Sequence, residues 1–541
     1  MTELHNPVIR GFAPDPSMIR VGDWYYVATS SFEWFPTIPI HRSRDLAHWE
    51  YAGHVRGAAP GDSLAGVPDS GGVWAPSLSW DGERFWMVYA IVRSVGTPYF
   101  DLDVWITTAT DVDGAWATPR RVASHGFDPA LFHHQGRLWL VNMQTDHRPG
   151  GRRFDGIVLT ELDRDSLAPV GDTRLLLQHD QLIEGPKLLE RDGWFYLLLA
   201  EGGTGTAHGV RVARSRTLTG PYELDHLPLL TSRDDPSQPL QKAGHGELLT
   251  TPRGDWLLSH LAARPVKTEY GPHCTLGRET AIQQVVWDAD EWPRLRQGGW
   301  HPAVDIHIDD TDDTDVSEAS RPQRVPPSAV EAPTEELSWP WSTLRGHADP
   351  SWADTTSRPG WIRLRGRHGP ESLWEQSMLA QRLTEHHAEV EVTLQAQPHT
   401  FTQAAGLILW YNTVSYLTLD LTWAEPDGEP QHGQQWQGGG RTVLSLLEHD
   451  ADGARQVAVR DVEPGALLTL GATIDAAAAR FWILQDGQRH PIGPELDFSH
   501  LSDDYGSHLR FTGAFAGIHA RDLVDRTFTA DFTGWRLTCE E

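Results

Sequence analysis

A chain of 541 residues is longer than one ordinary hydrophobic core organises, so two or more domains are expected. Its 24 Trp and 50 Gly point to many short strands joined by tight turns rather than to long amphipathic helices. A formal charge of −29 argues against a nucleic-acid backbone or an anionic membrane surface as a partner. Cys274 and Cys539 are the only cysteines, too few for a disulfide framework. The start, Met1-Thr2-Glu3-Leu4-His5-Asn6-Pro7, lacks the basic and apolar blocks of a signal peptide, and no apolar run is long enough to span a bilayer. These features predict a cytoplasmic protein.

In chain order, one phrase recurs five times before residue 300. Asp15-Pro16-Ser17-Met18-Ile19 precedes Trp24-Tyr25-Tyr26-Val27, and Trp74-Ala75-Pro76-Ser77-Leu78 precedes Phe85-Trp86-Met87-Val88. Asp128-Pro129-Ala130-Leu131, Glu184-Gly185-Pro186-Lys187 and His245-Gly246-Glu247-Leu248 open the other three. The starts lie 54 to 61 residues apart. Each unit holds β-patterned runs, with Asp81-Gly82 and Asp192-Gly193 as hairpin signals. Near-continuous apolar runs such as Phe195-Tyr196-Leu197-Leu198-Leu199-Ala200 suit strands covered on both faces. Five such units predict a five-bladed β-propeller over residues 1–305.

Next comes an acidic run, Asp309-Asp310-Thr311-Asp312-Asp313, and then a segment rich in Pro, Ser and Val. Together they predict a linker over 306–336; the run lacks the glycine and terminal glutamate of an EF-hand loop. From 337 to 541 the chain is again β-patterned. Ala388-Glu389-Val390-Glu391-Val392-Thr393-Leu394 alternates as a half-exposed strand does, and Asp486-Gly487 marks a turn. A jelly-roll β-sandwich is expected, with at most one short helical turn at Ala476-Ala477-Ala478-Ala479. The fold class is therefore all-β.

The innermost strand of each propeller blade borders the axis, so residues at matched places in the repeats converge there. Those places hold Asp15, Trp74, Asp128, Glu184 and His245. Paired carboxylates flanking a bond are the equipment of glycoside hydrolysis, one ionised to activate water and one protonated to expel the alcohol. A third acid raises the pKa of the proton donor, and Trp74 offers an apolar wall to a sugar face. Turn caps for the Asp-Pro pairs, core packing for Trp74 and simple axis filling for His245 are the competing readings.

Asn6-Pro7-Val8-Ile9-Arg10-Gly11-Phe12-Ala13-Pro14-Asp15-Pro16-Ser17 and Ser30-Ser31-Phe32-Glu33-Trp34-Phe35-Pro36 resemble the opening of glycoside hydrolase family 43 β-xylosidases. Ser124-His125-Gly126-Phe127-Asp128-Pro129, Ile183-Glu184-Gly185-Pro186, Leu199-Ala200-Glu201-Gly202-Gly203-Thr204-Gly205 and Leu276-Gly277-Arg278-Glu279-Thr280 extend the resemblance. Arg510-Phe511-Thr512-Gly513-Ala514-Phe515 carries it into the sandwich. The resemblance implies an exo-acting, inverting enzyme that releases xylose from short β-1,4-xylo-oligosaccharides and also takes α-L-arabinofuranosides. It implies Asp15 as general base, Glu184 as general acid and Asp128 as the residue tuning that acid. It also implies Arg278, Phe32 and Trp74 around the non-reducing xylose, with Phe511 closing one side. The chemistry requires no cofactor, although His245 matches a histidine that helps hold a channel calcium ion or water cluster. Relatives form dimers or tetramers, so a homo-oligomer is implied. Two positions depart from the pattern: Thr145 replaces an aromatic, which touches the leaving-group subsite, and Lys187 stands where histidine is commoner, just after the acid. A mainly arabinofuranosidase activity and a non-catalytic, sugar-binding propeller are the alternatives.

Overall fold

The computed structural model describes residues 2–308, 337–425, 440–507 and 509–540. Beyond Ile308 the expected linker, with its acidic run, lies outside the described residues. Among the described residues the chain is strand and loop, with one short 3-10 turn at Pro60–Asp62. No helix among them is long and apolar enough to cross a membrane.

Two compact units form, one of Met1–Pro265 with Gly277–Arg324, the other of Val266–Leu276 with Val325–Glu541. The division differs from the expected 1–305 domain in two places: residues 306–308, expected to begin the linker, complete the strand Asp305–Ile308 of the first unit, and Val266–Leu276 falls in the second. Val266–Leu276 is inserted between two strands of the fifth sheet yet clusters with the second unit, where His273 Nδ1 lies 3.0 Å from Ser502 Oγ. The Cys274 N–H donates to Asp504 Oδ2 at 2.8 Å in the same unit.

The first unit contains five antiparallel sheets of four or five strands, each wound from its innermost strand outward. Their innermost strands are Ser17–Val21, Gly72–Trp80, Gly126–His134, Ile183–Arg191 and Gln241–Thr250. The second strands, such as Phe85–Val92 and Trp194–Glu201, are almost wholly buried, as their apolar runs require. Apolar clusters fill the gaps between successive sheets. Tyr26 and Ile40 meet Met87 and Tyr89 between the first and second, while Tyr196 and Leu198 meet Leu258 and Ala281 between the fourth and fifth. A further cluster joins Met18 and Val27 of the first sheet to Leu257 and Ile282 of the fifth. The succession therefore returns to its start.

Both ends of the unit seal that junction. Thr2–His5 pairs antiparallel with Asp305–Ile308. Asn6 donates from Nδ2 to Ile282 O (2.8 Å) and Ala303 O (2.9 Å) and accepts from the Ile282 N–H at 2.9 Å.

In the second unit, two antiparallel sheets of eight and six strands enclose one apolar core. His387–Ala396 buries every second residue, matching the alternation in its sequence. Asp486-Gly487 turns as expected, both residues at positive φ (50° and 72°). The helical turn expected at Ala476-Ala477-Ala478-Ala479 does not form. Ala476 and Ala477 make a two-residue hairpin, Ala476 at φ 53°, and Ala478–Gln485 is a strand pairing with Leu468–Asp475. Cross-strand pairing outweighs the weak helix preference of four alanines, too few to nucleate a helix.

Candidate active site

Proline shapes the start of the innermost strands. It lacks an N–H for the ladder, so the pairing slips at Trp74/Ser77, Phe127/Ala130 and Glu184/Lys187, around Pro76, Pro129 and Pro186. At the matched place in four of the five repeats the backbone turns left-handed: Asp15 (φ 53°), Asp128 (φ 50°), Gly185 (φ 57°) and His245 (φ 49°). Counted from proline, Glu184 therefore sits one residue earlier than Asp15 and Asp128. The glycine behind it is obligatory, since a Cβ on Gly185 would fall 2.8 Å from the His245 ring.

These starts, with the loop before the strand Glu279–Trp287, bring Asp15, Asp128, Glu184, His245 and Arg278 together. Asp15 Oδ1 lies 3.1 Å from Arg278 Nη1 and 3.4 Å from His245 Nδ1, and Asp15 Oδ2 accepts from the Ser30 hydroxyl at 2.7 Å. Asp128 Oδ2 accepts from the Gly185 N–H at 3.1 Å, which ties it to the loop bearing Glu184. All three carboxylates are buried. The motif around Arg278 also secures the Asp15 loop: Glu279 accepts from the Gly11 N–H at 2.6 Å, and Thr280 Oγ1 donates to Ala13 O at 2.7 Å.

Their environments push the three acids apart. Burial favours the neutral form of Asp15, but Arg278, His245 and the Ser30 hydroxyl together hold it well below the usual carboxylate range. Burial and the charge of Asp15 push Asp128 up to about 6, against the pull of His245, the Gly185 N–H and Lys187. Burial first, then the charges of Asp128 and Asp15, raise Glu184 well above its ordinary value, with Arg278 opposing. One ionised and one protonated carboxyl in a shared site can perform general base and general acid chemistry.

An aromatic wall adjoins this set. Phe32 packs on Phe12 (ring centroids 6.0 Å apart) and Trp74 (6.2 Å), and Trp74 meets Phe127 edge-on at 5.5 Å. The Arg278 guanidinium lies 5.7 Å from the centre of the Phe32 ring. Phe511 is buried in the second unit, beside Arg510, whose guanidinium donates to Ser415 Oγ at 2.9 Å. At the other departure from the pattern, Thr145 Oγ1 donates to His125 O at 3.1 Å. Glu201, the acid of another quoted motif, is instead held by Arg211 (3.3 Å) and Arg233 (2.6 Å), lining a separate cavity of about 440 Å³.

Sequence reasoning missed Ser30 as the partner of Asp15, although it lies in a quoted motif, and missed His208. Burial, helped by the nearby His245 and Arg278, pushes His208 down to about 3 and keeps it neutral. A Cβ on Gly244 would fall 1.9 Å from the His208 ring. The metal expectation meets a different arrangement. Among the described residues no group of three or more His, Cys, Asp or Glu is placed to hold a metal ion. His245 faces Asp15, and the buried Lys187 ammonium reaches Ser17, Ser77 and Glu247. A calcium ion takes six to eight oxygen ligands, of which these side chains supply few, so one held at His245 would draw on water for most of them.

With this geometry in view, residues 4–293 match glycosyl hydrolases family 43, and 333–538 match the beta xylosidase C-terminal concanavalin A-like domain. The chain belongs to glycosyl hydrolase family 43. Its fold is accordingly a β-propeller followed by a concanavalin A-like sandwich. A xylosidase/arabinosidase 43B of Humicola insolens is 37% identical over 98% of this chain and 97% of its own. A beta-xylosidase of Bacillus subtilis (strain 168) is 33% identical over 99% of each chain. The crystal structure of a xylan beta-1,4-xylosidase from Bacillus halodurans C-125 superposes with a TM-score of 0.90 at 38% identity, over 99% of this chain and 100% of that one.

Proposed function

We propose that this family 43 hydrolase is an exo-acting, inverting β-xylosidase that releases xylose from the non-reducing end of short β-1,4-xylo-oligosaccharides and also cleaves α-L-arabinofuranosides. The carrying observation is the division among three buried carboxylates: Asp15 is held ionised by Arg278 and His245, while Glu184 is held protonated by burial and by Asp128 and Asp15. Asp15 then takes a proton from the attacking water, and Glu184 gives one to the departing glycosidic oxygen. Asp128 raises the pKa of Glu184 by its charge and steadies its loop through the Gly185 N–H. Arg278 orients Asp15 and, with Phe32 and Trp74, bounds the xylose pocket. We read the five sheets as the blades of one five-bladed propeller and the second unit as a jelly roll; the cyclic succession of apolar clusters supports the first reading. The double name of the Humicola insolens relative supports the two substrates.

Proton NMR of xylobiose hydrolysis tests the reaction. α-Xylose as the first product anomer supports inversion, and β-xylose overturns it. A protein that binds xylobiose yet hydrolyses neither aryl xylosides nor aryl arabinofuranosides is a sugar-binding propeller instead.

A further inference from the structure

Side chains two residues apart on a strand share a face, and a bulge adds one residue to that count. One step along the innermost strands from the catalytic set therefore come Ser17 after Asp15, Ser77 past the bulge at Trp74, Lys187 past the bulge at Glu184, and Glu247 after His245. These four residues from four different sheets converge. Lys187 Nζ donates to Ser77 Oγ at 2.7 Å and to Ser17 Oγ at 3.4 Å, and lies 3.4 Å from Glu247 Oε2. The Ser17 hydroxyl donates to Glu247 Oε2 at 2.7 Å and accepts from the Leu78 N–H at 2.9 Å. The Met18 N–H gives Glu247 Oε2 a second donor, at 3.2 Å. Lys187 is only 7% exposed.

A bare buried ammonium is costly, so this network must hold it. A simple structural plug would need no charge: leucine or methionine would fill the same volume without three polar partners. The ammonium is instead fixed among residues one strand step on from Asp15, Trp74 and His245, and its own residue follows Glu184 across the bulge. The charge of Lys187 is felt in the catalytic layer, where it pulls against the rise of Asp128.

We propose that Lys187 is a positioning residue for the hydrolysis, a cation built into the chain that fills the channel below Asp15, Asp128 and Glu184 and leaves the site independent of a metal ion. Its fixed charge offsets the mutual repulsion of the acids and keeps Glu184 from binding its proton too tightly to release. The groups facing this set are Asp15, His245, Glu184 and Lys187 around Asp128, Asp128, Asp15 and Arg278 around Glu184, and Glu247 around Lys187 itself. The inference rests on Glu184 being the general acid.

The test is the pH profile of kcat/KM on xylobiose for wild type, Lys187→Met and Lys187→Arg, each with EDTA and with added CaCl2. Loss of a cation raises a neighbouring carboxyl pKa, so the alkaline limb of Lys187→Met is expected about one pH unit above wild type, with Lys187→Arg returning it most of the way. Wild-type activity is expected to ignore both additives. A Lys187→Met variant that is less stable but whose limb does not move reduces Lys187 to a structural plug. Wild-type activity lost to EDTA and restored by CaCl2 makes a metal ion the channel cation and overturns the proposal, even where Lys187→Met does not fold. An alkaline limb that persists in Glu184→Gln refutes the acid assignment itself, which separates failure of that reading from failure of this one.

Discussion

Replacing Asp128 by asparagine removes one negative charge from the buried set while keeping an oxygen for the Gly185 N–H bond, 3.1 Å in the native protein. The perturbation is therefore electrostatic. Like charges about 5 Å apart repel by about 3 kcal/mol at an effective dielectric of about 20. Burial and Asp15 push Asp128 up to about 6, so it carries only part of its charge in the working range. About half of that repulsion, ~1.4 kcal/mol or one pH unit, should reach the acid. The sign follows from the proposed role: a general acid at Glu184 works protonated, and losing a neighbouring negative charge lowers its pKa. The alkaline limb of kcat/KM on xylobiose should move down by about one unit, and the rate beyond the limb should fall about tenfold. Nitrophenyl β-xyloside, whose leaving group needs little protonation, should lose less. An alkaline limb that stays in place or moves up refutes the electrostatic role of Asp128.

Two further predictions concern the scaffold. Asn6→Ala removes three hydrogen bonds that pin the chain start to the fifth sheet, and should cost about 2–4 kcal/mol in urea unfolding; a change below about 1 kcal/mol would deny that this junction closes the unit. Gly185→Ala places a methyl group 2.8 Å from the His245 ring on a left-handed backbone, a strain of about 1–2 kcal/mol before any displacement of the acid loop. A tenfold or larger fall in kcat/KM with an unchanged circular dichroism spectrum is expected, and near-native turnover would contradict the fit.

The fold was legible wherever local pattern and tertiary burial agree. Strand Phe195-Tyr196-Leu197-Leu198-Leu199-Ala200 is apolar because sheets cover both its faces, and Ala388 to Leu394 alternates because one face is wet. The alanine run at 476–479 misled because its strand state comes from pairing with Leu468–Asp475, which no local preference encodes. The insertion at Val266–Leu276 was invisible for a similar reason: its hairpin resembles any other, and only its partners Ser502 and Asp504 assign it to the second unit. At the site, the matched places of the repeat name Asp15, Asp128, Glu184 and His245, which the structure brings together, but a count from the first residue hid the offset of Glu184 behind Gly185. The Lys187 layer was within reach of the same two-residue period. It was obscured because the proline bulges shift the count by one in two of the four strands.

The claim at the centre of the account is that Asp15 and Glu184 hold different roles, and leaving-group dependence tests it most directly. The measurement is kcat/KM for Asp15→Ala and Glu184→Ala on xylobiose and on an aryl β-xyloside whose leaving group departs without protonation. Asp15→Ala should lose turnover on both substrates, since water still has to be activated. Glu184→Ala should lose turnover on xylobiose and retain a large share on the aryl xyloside. Equal losses on the two substrates in Glu184→Ala would contradict the account.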